Sequence, residues 1–141
     1  MKTIVETAIA AGNYTTLLAM LKAGALSDTL RLPGPYTVFA PTDEAFKKLS
    51  PRAVAAMIKD VRRLKVVLTQ HIVCGRFDTE QLLAGAVKSV AGTMLVAVRS
   101  GDQIIVNGAT VLAGDIAVTN GVLHSVDAMV LAKSVEFASV A

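Results

Sequence analysis

Hydrophobic positions recur at helical spacing through the first half of the chain and switch to strand-like runs in the second. Ile4, Val5, Ala8 and Ile9 fall on one helical face. Asn13 opens a break, and Leu17, Leu18 and Leu21 then mark a second helix over Thr15–Ala23 that Gly24 ends. Residues 25–32 read as another short helix, after which Pro33-Gly34-Pro35 turns the chain into a strand at 36–40.

Cap chemistry marks the helices that follow. At Pro41-Thr42-Asp43-Glu44 the Thr42 hydroxyl is placed to accept from a free first-turn N–H, and the two carboxylates sit at the positive end of the helix dipole. Adjacent side chains on a helix point about 100° apart, so this pair reads as capping and not as an acid–base dyad. Ser50-Pro51 repeats the device, opening a helix through Ala53, Val54, Met57 and Ile58. Val61, Leu64 and Leu68 carry a further helix to about Gln70, residues 71–76 become extended, and Asp78 caps a short helix over 80–83.

From Ala86 the periodicity predicts strands at 87–90, 94–99, 104–106, 109–112, 116–118 and 123–131. Gly101-Asp102 and Asn107-Gly108 lie between apolar runs, where residues tolerant of positive φ close tight hairpins. The expected arrangement is an antiparallel meander.

A chain of 141 residues is one domain's worth of sequence, and residues 1–141 are read as a single domain. With 53% hydrophobic residues, no Trp and six Phe and Tyr together, the core is expected to be aliphatic. The lone Cys74 excludes an internal disulfide and reads as a buried small hydrophobe. No apolar run approaches the roughly 18 residues that span a bilayer, so no transmembrane segment is expected. Glu6 interrupts the N-terminus too early for a signal-peptide apolar region, which leaves an intracellular protein or a mature form whose export signal is gone.

The net charge of +3 arises from 14 basic residues spread over most of the chain and does not amount to a nucleic-acid footprint. Its one cluster is Lys59, Arg62, Arg63 and Lys65. On a helix Lys59, Arg62 and Arg63 share a face opposite Val61, Leu64 and Leu68, either as a solvated face or as a site for an anion, glycan or lipid headgroup.

Catalytic readings fail on geometry. None of the seven serines lies in Gly-x-Ser-x-Gly. His71 and Cys74 stand three apart on an expected strand and face opposite ways. Two His and one Cys fall short of a zinc ligand set, and no glycine-rich phosphate loop occurs, so no catalytic residue, metal or cofactor is expected. Asn13-Tyr14-Thr15 has the form of a glycosylation acceptor, which carries no assignment by itself.

Two blocks bring in a family. Thr37-Val38-Phe39-Ala40-Pro41-Thr42-Asp43-Glu44-Ala45-Phe46 resembles the first signature block of fasciclin-like domains, and Thr119-Asn120-Gly121-Val122-Leu123-His124 with Val126-Asp127 resembles the second. His71 stands where that family places a histidine between them, and the early Ile4 to Ala8 and Leu17-Leu18 segments resemble its opening helices. The resemblance covers essentially the whole chain. It implies an α+β fold, a wedge of about seven mostly antiparallel strands with helices packed on one side.

It also implies a non-catalytic adhesion or surface-interaction module, with cell-surface or matrix proteins or glycans as partners and no more than weak self-association. An extracellular, cell-surface or periplasmic location of the mature form goes with it. In animal matrix relatives an Asp-Ile pair before the second block and a Tyr-His pair between the blocks are tied to adhesion. Here the first is Asp115-Ile116, preceded by Ala113-Gly114, and the second is Gln70-His71, without the aromatic half. Asp115, Ile116 and His71 are therefore the adhesion candidates, beside readings as turn, core strand and structural histidine. Lys59, Arg62 and Arg63 are the polyanion candidates, and His124 reads as a partly buried strand residue. The alternative function is a small-ligand or lipid-binding protein with a cleft between helices and sheet.

Overall fold

The computed structural model describes residues 3–31 and 33–130. In order these form α1 (Ile4–Ala11), α2 (Thr15–Ala23), a 3-10 turn (Thr29–Arg31), β1 (Tyr36–Pro41), α3 (Asp43–Lys47), α4 (Pro51–Lys59), α5 (Val61–Gln70), β2 (Ile72–Cys74) and α6 (Thr79–Ala84). The strands β3 (Val87–Lys88), β4 (Met94–Leu95), β5 (Ala97–Ser100), β6 (Gln103–Val106), β7 (Ala109–Val118) and β8 (Gly121–Val126) follow. Six strands form one curled sheet in the order β2-β1-β8-β7-β6-β5, and β3 and β4 make a small second pair. The fold is α+β with helices on one side, as the resemblance implies.

The expected meander is present as β5, β6, β7 and β8, each antiparallel to the next. What it does not anticipate is the partner of β8 on its other edge. β1 runs parallel to β8 with Tyr36 opposite Gly121 and Pro41 opposite Val126, so the two blocks read from the sequence are adjacent central strands. Both faces of this pair are covered. Val38, Ala40 and Leu123 join the helix-side cluster with Leu17, Met20 and Leu64, whereas Phe39 and Val126 join Val73, Leu82, Leu95 and Val106 on the far face. A strand buried on both sides is mostly apolar, and residues 36–41 fit that with one exception, the buried Thr37, whose hydroxyl donates to the Gly75 carbonyl at 2.7 Å and accepts from Phe77 N–H at 2.9 Å.

The caps fall where their chemistry puts them. Thr42 accepts from Ala45 N–H at 3.3 Å, Ser50 from Ala53 N–H at 3.1 Å and Asp78 from Gln81 N–H at 2.8 Å. Replacing Thr42 by Ala is expected to cost about 1 kcal/mol, read as a lower midpoint in urea with unchanged slope. Asp43 does more than complement the dipole of α3. α2 has no cap from its own flank, and the Asp43 carboxylate supplies one, accepting from Thr16 N–H at 2.9 Å and Thr15 Oγ1 at 2.7 Å. Burial works against its charge, but the Thr16 and Thr15 hydrogen bonds outweigh it and hold the carboxyl below its usual range.

Several boundaries differ from expectation, each for a local reason. Residues 25–32 give only the 3-10 turn, because Ala25 takes a left-handed φ of +59° and breaks the helical path; Leu32 lies outside the described residues. Gly24 serves helix packing, since a Cβ there would stand 3.0 Å from Leu68 Cδ1 on α5. The 94–99 run splits at Val96, whose N–H is taken by the Asn107 side chain at 2.9 Å. Residues 109–112 and 116–118 are instead one strand, β7, with register shifts between Val111 and Ile116. The run at 123–131 is in strand conformation only to Val126, and Leu131 lies outside the described residues. Cys74, read as buried, is exposed, because it ends the edge strand β2 while Ile72 and Val73 turn into the core.

Candidate functional site

The bulge in β7 creates the most distinctive surface on the sheet. Leu112, Ala113, Gly114 and Asp115 are consecutively exposed, and Leu112 retains 57% of its accessible surface. In a regular strand alternate residues would face inward; here the extra residues of the bulge push the segment out as a ridge. Asp115 takes φ +58°, a conformation that Asp and Asn tolerate better than most residues.

Hydrogen bonds make the ridge rigid. The Asp115 carboxylate accepts from Thr79 N–H and Thr79 Oγ1, each at 2.8 Å, which pins the bulge to the first turn of α6. Asp115 N–H donates to His124 Nδ1 at 3.1 Å on the neighbouring strand. Gly114 allows this approach, since a Cβ there would lie 2.9 Å from Thr79 Cγ2. The Asp-Ile pair is therefore divided: Asp115 is outward and tethered, and Ile116 is half-buried against the helix-side core opposite Leu123.

The two histidines are internal. His71 is 2% exposed at the C-terminal end of α5 and not in an extended segment. Its Nε2 accepts from Val130 N–H at 2.8 Å, so Nδ1 carries the proton and donates to the Val67 carbonyl at 2.8 Å. Burial pushes its pKa down to about 4, with the Val67 carbonyl partly opposing. His71 thus presents no ring surface to a partner, and acts on the sheet through its carbonyl, which accepts from Phe39 N–H at 2.8 Å. His124, read as partly buried, is fully buried and has the other tautomer: Nδ1 accepts from Asp115, and Nε2–H donates to the Phe77 carbonyl at 2.8 Å. Its ring stacks on Phe39 with centroids 5.5 Å apart. Burial lowers its pKa too, against the Phe77 carbonyl and the charges of Asp115 and Asp78.

The polyanion candidates do not share one helix face as expected, because Asp60 is extended, Lys59 ends α4 and Arg62 and Arg63 open α5, and Val61 is exposed; they form a second surface on the α4–α5 hairpin. Lys59, Arg62 and Arg63 are exposed beside Lys65, and none of them enters an ion pair among the described residues. A third feature is an open groove of about 640 Å³ between α2, α3 and α4, lined by Phe46, Leu49, Val54 and Ile58 with Lys47 at the rim. It lies between helices, not between helices and sheet. Among the described residues no three His, Cys, Asp or Glu side chains come together as a metal-holding group.

Two residues that sequence reasoning passed over hold this arrangement together. Asn120 is 3% exposed; its Oδ1 accepts from Ile4 N–H at 3.0 Å, and its Nδ2 donates to the Leu30 carbonyl at 2.6 Å. It joins the start of α1, the 3-10 turn and the β7–β8 corner. Arg76 donates through Nη1 to the Gly121 carbonyl at 2.9 Å. The Asn-Gly dipeptide signals a turn, but partners so far away along the chain leave no local signal.

Similarity to known proteins agrees with this architecture. Residues 12–132 match the family described as the Fasciclin domain. The chain is 38% identical over 132 residues to an uncharacterized protein, sll1735, of Synechocystis sp., across 93% of this chain and 98% of that protein. It is 30% identical over 106 residues to the cell surface glycolipoprotein MPB83 of Mycobacterium bovis, across 75% of this chain and 47% of that one. It superposes on the solved structure of a FAS1 domain pair from the insect cell adhesion molecule fasciclin I with a TM-score of 0.83 at 17% identity, covering 92% of this chain and 51% of that one. The chain belongs to the fasciclin domain family.

Proposed function

We propose that this protein is a non-catalytic adhesion module, a single unit over residues 1–141 that makes weak contacts with proteins or glycans of a cell surface or matrix from an extracellular or surface location. The observation that carries this reading is the exposed ridge of residues 112–115, which displays an apolar side chain and a tethered carboxylate on the segment that carries the Asp-Ile pair. The similarity to MPB83, a cell surface glycolipoprotein, supports the location.

The test is adhesion of cells to surfaces coated with wild type or with Leu112→Ser/Asp115→Asn. Asn tolerates the left-handed backbone at 115 and retains an acceptor for Thr79, so the ridge stays in place while its charge and its apolar contact are changed. A loss of about tenfold in half-saturating coating density, with an unchanged circular dichroism spectrum, is expected. Equal adhesion by both proteins would move the contact off β7. Asp115→Ala is a poorer probe, because it frees Thr79 and places Ala at positive φ.

The groove beside Phe46 and Ile58 favours a second reading, a small apolar ligand held between helices. Native mass spectrometry of the purified protein is expected to show an added mass under that reading, and an unliganded spectrum counts against it.

A further inference from the structure

We propose that the α4–α5 hairpin docks on the surface of an anionic lipid bilayer. Residues 51–70 hold five basic side chains, Arg52, Lys59, Arg62, Arg63 and Lys65, against one acid, Asp60. The remaining sequence has nine basic and ten acidic residues, so the whole positive balance of the protein sits on this one hairpin. The single acid does little to offset it. Asp60 is the only residue between the helices, and its carboxylate is turned to the start of α5, accepting from Arg63 N–H at 3.3 Å.

Charge alone would suit any polyanion; the aliphatic side chains between the cations select among them. Ile58, Val61 and Val66 are 37%, 45% and 50% exposed on the same hairpin. On α5 the residues Leu64, Val67 and Leu68 are buried, and Arg62, Val66 and Thr69 run up the opposite face at helical spacing, with Arg63 and Lys65 flanking. Val66 thus follows Arg62 and Arg63 by one helical turn on an outward face, and Ile58, which also lines the α2–α3–α4 groove, and Val61 lie on either side of the Lys59-Asp60 corner. A soluble sulfated polysaccharide pairs with the cations but leaves the aliphatic groups in water. A bilayer interface takes both, phosphates and carboxylates against the basic groups and the acyl boundary against Val and Ile. No helix among the described residues is long and apolar enough to cross a membrane, so the contact is one of lying on the surface.

The test is co-sedimentation of the full chain with phosphatidylcholine vesicles, with and without phosphatidylserine, alongside retention on heparin. At low ionic strength the wild type is expected to bind the anionic vesicles at least about tenfold more tightly than the neutral ones, and to lose that preference as salt rises. Arg62→Gln/Arg63→Gln is expected to weaken binding to both anionic vesicles and heparin. Val61→Ser/Val66→Ser is expected to weaken vesicle binding severalfold while leaving heparin retention unchanged. All four positions are exposed, so circular dichroism should be indifferent to them. Wild type that is retained on heparin but does not sediment with anionic vesicles would overturn the proposal, and so would full vesicle binding by Val61→Ser/Val66→Ser.

Discussion

Gly121→Ala is expected to destabilise the fold by about 3 to 5 kcal/mol, seen as a large drop in the urea midpoint or as failure to accumulate folded protein. Gly121 opens β8 opposite Tyr36, and its φ of +154° is one that side-chain-bearing residues rarely adopt. A Cβ there would overlap the Tyr36 carbonyl. Neither side can yield cheaply. Tyr36 N–H donates to the Asn120 carbonyl at 2.8 Å, and the Gly121 carbonyl accepts from the Arg76 side chain, so moving either backbone disturbs one of these hydrogen bonds. The penalty combines backbone strain with a clash that only a shift of β1 relieves. An Ala variant within 1 kcal/mol of wild type, on the order of ordinary surface substitutions, would mean that β1 and β8 do not pack as described.

The second large effect is loss of stability in mild acid. Folded His71 takes a proton only near pH 4, whereas an imidazole in the unfolded chain takes one near 6.5. Above 6.5 both states are neutral and the stability is fully present. Below it the unfolded chain binds a proton that the fold refuses, and stability falls by about 1.4 kcal/mol per pH unit until the folded ring also protonates. From this residue alone the loss approaches about 3 kcal/mol by pH 4, and His124, whose pKa is also lowered, adds to it in the same direction. Asp43 responds in a separate window. Its carboxyl is held below the usual value near 3.8, so its contribution weakens only in stronger acid. Urea titrations at pH 7.5, 6 and 5 should show a progressive fall, and His71→Gln should be weaker at pH 7.5 but flatter with pH. Equal midpoints at pH 7.5 and 5 would contradict the neutral, doubly bonded ring. The region that loosens first is expected to be the seam where His71 holds Val67, Phe39 and Val130 together.

How far the candidate site could be read without coordinates depends on the range of each interaction. Asp115 and Ile116 are legible as an Asp-Ile pair ahead of the second block, yet the bonding of Asp115 comes from Thr79 and His124, which no sequence spacing connects to it. His71 bonds as a structural histidine beside the first block, and its partner Val130, 59 residues away, leaves no local signal in the sequence. The basic cluster is legible as a run of charges, but its expected single helix face is not what forms: the break at Asp60 leaves Lys59 ending α4 and Arg62 and Arg63 opening α5. That Asp60 faces the helix end, and that Ile58, Val61 and Val66 stay exposed among the cations, depends on how the hairpin packs.

The sequence by itself determined whatever is short-range. Helix starts follow from side chains three residues from the N–H groups they satisfy, hairpins from residues that accept positive φ, and the strand at 36–40 from β-branched and apolar residues after the Pro33-Gly34-Pro35 turn. Only the tertiary structure decided the parallel pairing of β1 with β8, the joining of β7 across its bulge, the capping of α2 by Asp43 and the burial of Asn120 and both histidines. These depend on groups brought together from 9 to 116 residues apart, and over such distances the choice among partners is made by the packing of the whole core and not by local propensity.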